Sequence, residues 1–182
     1  MLDRIDRLMR SLAAFFAILG GLALIAVILA TVASVSGRAL LWAGLGPIRG
    51  DFELVELATG FAVFAFLPWA QITRQHASVE ILTMHLGGAA NKLIDIVSDL
   101  LMFAIAVLLT WKHWAGTLDK FAYGETTFII QYPIWWAYAS GLVGAIGFAL
   151  VSFWCLFLSV RALITGKNEF HGQNQSLGET AQ

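Results

Sequence analysis

The chain has very few charged residues, and two long stretches contain none. Lys, Arg, Asp and Glu together make up 13% of the 182 residues, whereas soluble domains carry about 25%. No charge occurs between Arg10 and Arg38 or between Glu125 and Arg161. A membrane-spanning helix needs about 20 mostly apolar residues. Both stretches are long enough, so we exclude a soluble domain and identify an integral membrane protein.

Other absences exclude further classes. Cys155 is the only cysteine, which excludes an intrachain disulfide and a multi-cysteine metal site. A net charge of -1 does not favour nucleic acid as a partner, because binding phosphates requires clustered Lys and Arg. No phosphate-binding loop, nucleophile elbow or dinucleotide fingerprint occurs. We therefore expect no catalytic residues and no enzyme activity.

The four histidines do not indicate a metal or haem site. Haem between membrane helices requires histidines inside the spans, but the sequence predicts these in loops, at helix ends or in the tail. No metal-binding spacing such as H-E-x-x-H occurs. We expect no metal and no cofactor at His76, His85, His113 and His171.

Hydrophobic runs and loop signals predict an all-α protein with one membrane domain over residues 1–166. Its four spans are expected at about 12–37, 51–73, 92–114 and 133–160. The first is too long for the apolar core of a signal peptide, so we expect it to be retained. Asp51 suits an N-cap, Pro68 is expected to kink its helix, and Pro133 suits a first turn.

Two segments lie outside the predicted spans. Residues 74–91 mix apolar and polar side chains, which favours a short interfacial helix. Residues 167–182 are polar and predicted to be a disordered tail. With four spans both termini share one side, which carries seven Lys or Arg against four on the other. The positive-inside rule therefore predicts cytoplasmic termini.

Carboxylates occur only near the predicted span ends. Glu53 and Glu56 share a helix face at the outer end of the second span, where Arg38, Arg49 or a partner protein could pair with them, or where they could couple an ion. A structural cluster is expected at the inner rim. Its members are Arg74, His76, Glu80, Lys92, Asp95 and Asp99.

Small residues recur every four positions on the fourth span. Such ridges let helix backbones approach closely in lipid. They serve either packing within the bundle or docking onto another membrane subunit. The ridge comprises Ala137, Gly141, Ala145 and Ala149.

Two segments resemble a known family. One runs from Glu53 to Gln71 and continues from Arg74 to Leu82, and the other comprises Gly124 to Thr127 and Pro133 to Tyr138. In this order they resemble the DctQ-like small membrane subunit of tripartite ATP-independent periplasmic (TRAP) transporters. Gln75 and Glu80 depart from the family pattern, which often has glycine and aspartate at these positions.

The resemblance implies an accessory role in the bacterial inner membrane. In that family the small subunit braces a large, DctM-like subunit that carries the substrate and sodium sites, and a periplasmic protein delivers an organic acid such as a C4-dicarboxylate. Contacts with either partner are then expected at the outer rim, and membrane lipid surrounds the chain. The candidate contact residues are Glu53, Glu56, Gly124, Glu125, Pro133 and Trp135.

Two other functions remain possible from the residues. A homo-oligomeric carrier or channel would need a polar path at the contacts between copies. A membrane enzyme or haem protein would need ionisable residues inside the spans.

Overall fold

The computed structural model describes residues 2–73 and 88–165, with the backbone alone at 88–92. Four long helices make up most of this part of the chain: α1 (Leu2–Ala39), α2 (Asp51–Ile72), α3 (Gly88–Tyr123) and α4 (Ile134–Thr165), with a 3-10 turn at Leu41–Ala43. Each helix is long and apolar enough to cross a membrane. This confirms the all-α fold with four spans.

The helices differ in length from the predicted spans. α1 begins at Leu2, well before residue 12, and α3 continues beyond residue 114 to Tyr123. Residues 74–87 of the predicted interfacial helix, residue 166 and the predicted tail at 167–182 lie outside the described residues. Residues 88–91, which we assigned to the interfacial segment, form the first turn of α3.

The second helix starts at the residue predicted to be its cap, and its actual cap lies one residue earlier. Gly50 is the N-cap residue, with φ of 74°, and no side chain caps this end. Asp51 is the first helical residue, so its prediction as the N-cap is wrong. A glycine accepts this left-handed backbone without strain, and an added Cβ would clash with the Ile130 side chain.

The bundle has two ends. The loop end carries the connections 40–50 and 124–133, and the terminal end carries Leu2, Ile72, Gly88 and Thr165. α1 packs on α2, α2 packs on α4, and α4 packs on α3, while α1 meets α4 at few points. Half of the residues in the most apolar 18-residue segment of α4 are buried, but only 11% of those in the corresponding segment of α3. α4 is thus the central helix.

Close packing on α4 depends on small residues facing α2. A Cβ on Gly144 would lie 2.8 Å from the Phe64 carbonyl oxygen. Pro68 lies four residues after Phe64 inside α2 and has no N–H to donate to that carbonyl. The Phe64 carbonyl therefore lacks its usual donor within α2, and Gly144 lets the α4 backbone approach it closely.

Candidate functional site

A hydrogen-bonded cluster joins α1 to the start of α2. The Ser34 hydroxyl donates to Asp51 Oδ2 at 2.6 Å and accepts from the Ile48 amide at 3.2 Å. Arg38 Nη2 lies 3.4 Å from the same Asp51 oxygen. The sequence suggested that Arg38 could pair with Glu53 or Glu56, but Arg38 pairs with Asp51 instead. The cluster fixes the loop at 40–50 against α2.

Glu53 joins α2 to the other loop. Its Oε1 accepts from the Ile129 amide at 2.6 Å and its Oε2 accepts from the Ile130 amide at 2.9 Å. Hydrogen bonds to an ionised acceptor are stronger than neutral ones. Glu53 therefore holds the turn at 128–130, and this role within the chain could not be seen from local spacing.

The 124–133 loop is also held by its own contacts. Thr126 and Pro133 form an isolated β-bridge, and the Thr127 amide donates to the Tyr132 carbonyl at 2.9 Å. Lys120 Nζ lies 2.6 Å from Glu125 Oε2. Phe128 projects from the loop with 95% of its surface exposed. An ordered loop thus presents an apolar side chain outward.

The other predicted contact residues have varied surroundings. Gly124 follows α3 with φ of 63°, and Trp135 packs edge-on against Phe121, with ring centroids 5.3 Å apart. Glu56 is exposed. Within residues 2–73 and 88–165, its carboxylate makes no hydrogen bond or ion pair. Among the predicted contact residues Glu53, Glu56 and Glu125, Glu56 is thus the one whose carboxylate has no partner within the described residues.

A groove of about 460 Å³ lies beside Glu56. It is lined by α2 between Glu53 and Phe64, by α4 between Ile134 and Gly141, by His113 of α3 and, at the loop end, by residues 126–128. We call this the Glu56 groove. Its volume falls within the range of about 300–1,000 Å³ for small-molecule sites.

His113 lies deep in the Glu56 groove, contrary to its predicted position at a helix end. Its ring lies 4.4 Å from the Phe64 ring and stacks on Tyr138 at 5.3 Å, centroid to centroid. Nε2 lies 3.0 Å from the Tyr138 carbonyl oxygen, which accepts only, so this nitrogen donates. An added Cβ on Gly141 would meet Nε2 at 2.8 Å, so the predicted small residue makes room for His113.

The other residues of the predicted ridge on α4 are buried to different extents. Ala145 is buried, whereas Ala137 and Ala149 are half-buried. The Ala145 carbonyl accepts from the Thr110 hydroxyl of α3 at 3.1 Å. At least this part of the ridge contacts a helix of the same chain.

At the terminal end, Asp99 has a partner that the sequence did not predict. The Ser159 hydroxyl donates to Asp99 Oδ2 at 2.5 Å, and both residues are buried. Asp95 is exposed. Arg74, His76 and Glu80 lie outside the described residues, as does the Lys92 side chain. The predicted inner-rim cluster therefore stays a prediction apart from the position of its two aspartates.

Asp6 is a further structural residue that the sequence analysis missed. Its carboxylate accepts from Arg10 Nε at 2.9 Å and from Trp154 Nε1 at 3.3 Å. This contact ties α1 to α4 at the terminal end. An acidic residue one helical turn before Arg10 was a signal for the first contact, but nothing local indicated Trp154.

The fold and these contacts define a small multi-pass membrane protein whose polar groups concentrate at the two ends of the bundle. The family model described as "Tripartite ATP-independent periplasmic transporters, DctQ component" matches residues 27–163. Since this match spans most of the chain, the protein belongs to the DctQ family of TRAP transporter small membrane subunits. Comparisons with curated proteins and with solved structures gave no match.

The family assignment has three direct consequences. The chain is a transporter component, in a family that is not an enzyme family. It is a multi-pass protein of the inner membrane, consistent with its four spans. It belongs to a tripartite system, which in general includes a large membrane subunit and a periplasmic binding protein.

Proposed function

We propose that this chain braces the large membrane subunit of a TRAP transporter and helps dock the periplasmic binding protein. The cargo is an organic acid such as a dicarboxylate or another carboxylate, and uptake is driven by an ion gradient, most simply sodium. The observation that carries this proposal is the division between a well-packed central helix and apolar outer faces. Such a bundle suits a static support within a larger assembly.

The outer faces offer room for a large partner. Apolar side chains project from α1 and α3 along most of their length, among them Leu22, Leu29, Leu101 and Leu108, each more than half exposed. In lipid, no hydrophobic force favours covering these faces, so shape and van der Waals packing decide which partner binds. These aliphatic faces of α1 and α3 can therefore contact either lipid or a large subunit.

The loop end supports docking of the binding protein. With the termini in the cytoplasm, as the distribution of Lys and Arg favours, this end faces the periplasm. Phe128 and Trp42 are exposed there at 95% and 85%, and Glu53 fixes the turn beside Phe128. Exposed aromatic side chains on an ordered loop are typical anchors of protein contacts.

The first test is a tagged pull-down from gently solubilised membranes of the native host, with partners identified by mass spectrometry. We expect a large multi-span protein in near-equal amount. Recovery of this chain alone, as a defined oligomer, would contradict the accessory role and would favour a self-sufficient carrier.

The second test is Glu56→Ala, which we expect to reduce uptake or recovery of the complex. Asp119→Asn is the matched control, because Asp119 is an exposed acid near the same end of the bundle and does not line the Glu56 groove. Normal uptake together with normal co-purification of the Glu56 variant would remove Glu56 from the proposed contacts.

A further inference from the structure

The Glu56 groove has the length of one membrane leaflet. From Glu53 to Phe64, α2 rises about 16 Å, and half of a hydrocarbon core of about 30 Å is about 15 Å. The groove starts at the loop end, where headgroups lie, and ends near the middle of the bundle. A single partner side chain would leave most of this length unfilled.

The polarity of the groove changes along its length. Glu53, Glu56, Thr126 and Thr127 line the end near the loop, whereas Leu57 and Phe64 lie deeper, beside Gly141 of α4. His113 is a polar residue in the deeper part, but its Nε2 already donates to the Tyr138 carbonyl. A polar end followed by a mostly apolar channel matches a phospholipid, with its headgroup at the rim and an acyl chain along the helices.

The charge at the polar end selects the headgroup. Glu53 already accepts from two backbone amides, whereas the exposed Glu56 has no partner within the part of the chain that the structure describes. An ionised carboxylate near hydrocarbon is costly unless a cation or hydrogen-bond donor meets it. An ammonium group supplies both the positive charge and the N–H donors, whereas a glycerol headgroup supplies neutral hydroxyl donors but no positive charge.

The middle of the groove is open beside Gly60. A Cβ added there would meet nothing within 4 Å, unlike one at Gly141 or Gly144. Gly60 lies one helical turn below Glu56, on the path from the headgroup end to Phe64. The opening at Gly60 is therefore where an acyl chain would pass along α2.

We propose that the Glu56 groove binds one phospholipid with an ammonium headgroup, its ammonium on Glu56 and one acyl chain passing Gly60 toward Phe64. This site goes beyond the proposed accessory function, because the chain alone contains the whole groove.

The test measures lipid retention by the isolated chain. The purified protein is equilibrated with mixed micelles containing equal amounts of phosphatidylethanolamine and phosphatidylglycerol with the same acyl chains, and bound lipid is counted by native mass spectrometry. We expect about one phosphatidylethanolamine per chain in preference to phosphatidylglycerol. Glu56→Gln should weaken that binding about tenfold, the order expected for losing a hydrogen bond to a charged group. Asp119→Asn should not.

A second pair of variants tests the acyl path. Gly60→Leu places a side chain in the open middle of the groove and should abolish lipid retention, although Glu56 is intact. Gly21→Leu is its control, since an added Cβ at Gly21 also meets nothing within 4 Å and Gly21 does not line the groove. Thermal unfolding of all four variants checks that each is folded.

Three outcomes would overturn the lipid site. Equal retention of both lipids would reject the ammonium preference, and unchanged retention in Gly60→Leu would reject the acyl path. If Glu56→Gln kept its lipid but lost the large subunit in pull-downs, Glu56 would bind a cationic side chain of that subunit instead. Failure of the pull-down with wild-type protein would reject the accessory function and leave the lipid measurement unaffected.

Discussion

α4 and α3 are both long apolar helices, but they have different surroundings. Half of the residues in the most apolar 18-residue segment of α4 are buried, against 11% of those in the corresponding segment of α3. α4 contacts α2 and α3 through small residues, whereas α3 exposes leucines along most of its length. Since both helices are apolar, hydrophobicity does not decide which one lies inside. The difference comes from glycine and alanine positions, as expected where van der Waals packing drives helix association in lipid.

Gly144→Leu should have the largest effect, because it disrupts the close packing that distinguishes α4 from α3. An added Cβ would lie 2.8 Å from the Phe64 backbone, so α2 and α4 must separate. We expect a loss of about 3 kcal/mol or more in unfolding free energy, measured by denaturation in mixed micelles. Gly21→Leu should leave that free energy unchanged, and equal stability of the two variants would show that α2 and α4 do not pack this closely.

A leucine pair tests the same difference with equal chemistry. Leu142 of α4 is 8% exposed and Leu101 of α3 is 59% exposed. Leu142→Ala leaves a cavity and should cost about 2 kcal/mol, whereas Leu101→Ala should cost almost nothing in the isolated chain. Thermal unfolding in detergent checks both. Similar losses for the two would mean that α3 is not a peripheral helix.

The smallest expected effect is at the terminal end, where α3 is anchored to α4. Ser159→Ala removes the donor to buried Asp99 and should cost about 0.6 to 1.7 kcal/mol, from the average to the maximum measured for hydrogen bonds between membrane helices. Ser98→Ala, on an exposed position beside Asp99, is the control in the same unfolding assay. An unchanged midpoint for Ser159→Ala would show that this contact does not hold α3.

The four spans could be predicted because charge is expensive in hydrocarbon, and charge-free runs mark where helices cross. The same reasoning did not predict how far the third helix continues beyond its span. Lys112 and Lys120 interrupt the apolar pattern, yet Trp111, Trp114 and Leu118 continue it, and α3 extends to Tyr123. His113 consequently lies inside the bundle instead of at a helix end.

The contacts of the rim carboxylates could not be predicted from the sequence. Asp51 meets Ser34, Glu53 meets the amides of Ile129 and Ile130, and Asp99 meets Ser159. Each contact depends on how one helix is rotated and shifted along its neighbour, and these quantities are set by side-chain packing between distant segments. Local spacing identifies the polar residues near span ends but not which group they meet.

The central position of α4 has a consequence for how the protein is made. Chains are synthesised from the N-terminus, so α1 and α2 can pair as soon as both have entered the membrane. α3 packs on α4, the helix that follows it, and must wait in the bilayer until that helix arrives. Assembly of this bundle is therefore completed by its last span, and a chain interrupted within the 124–133 loop would release α3 into the lipid without its principal neighbour.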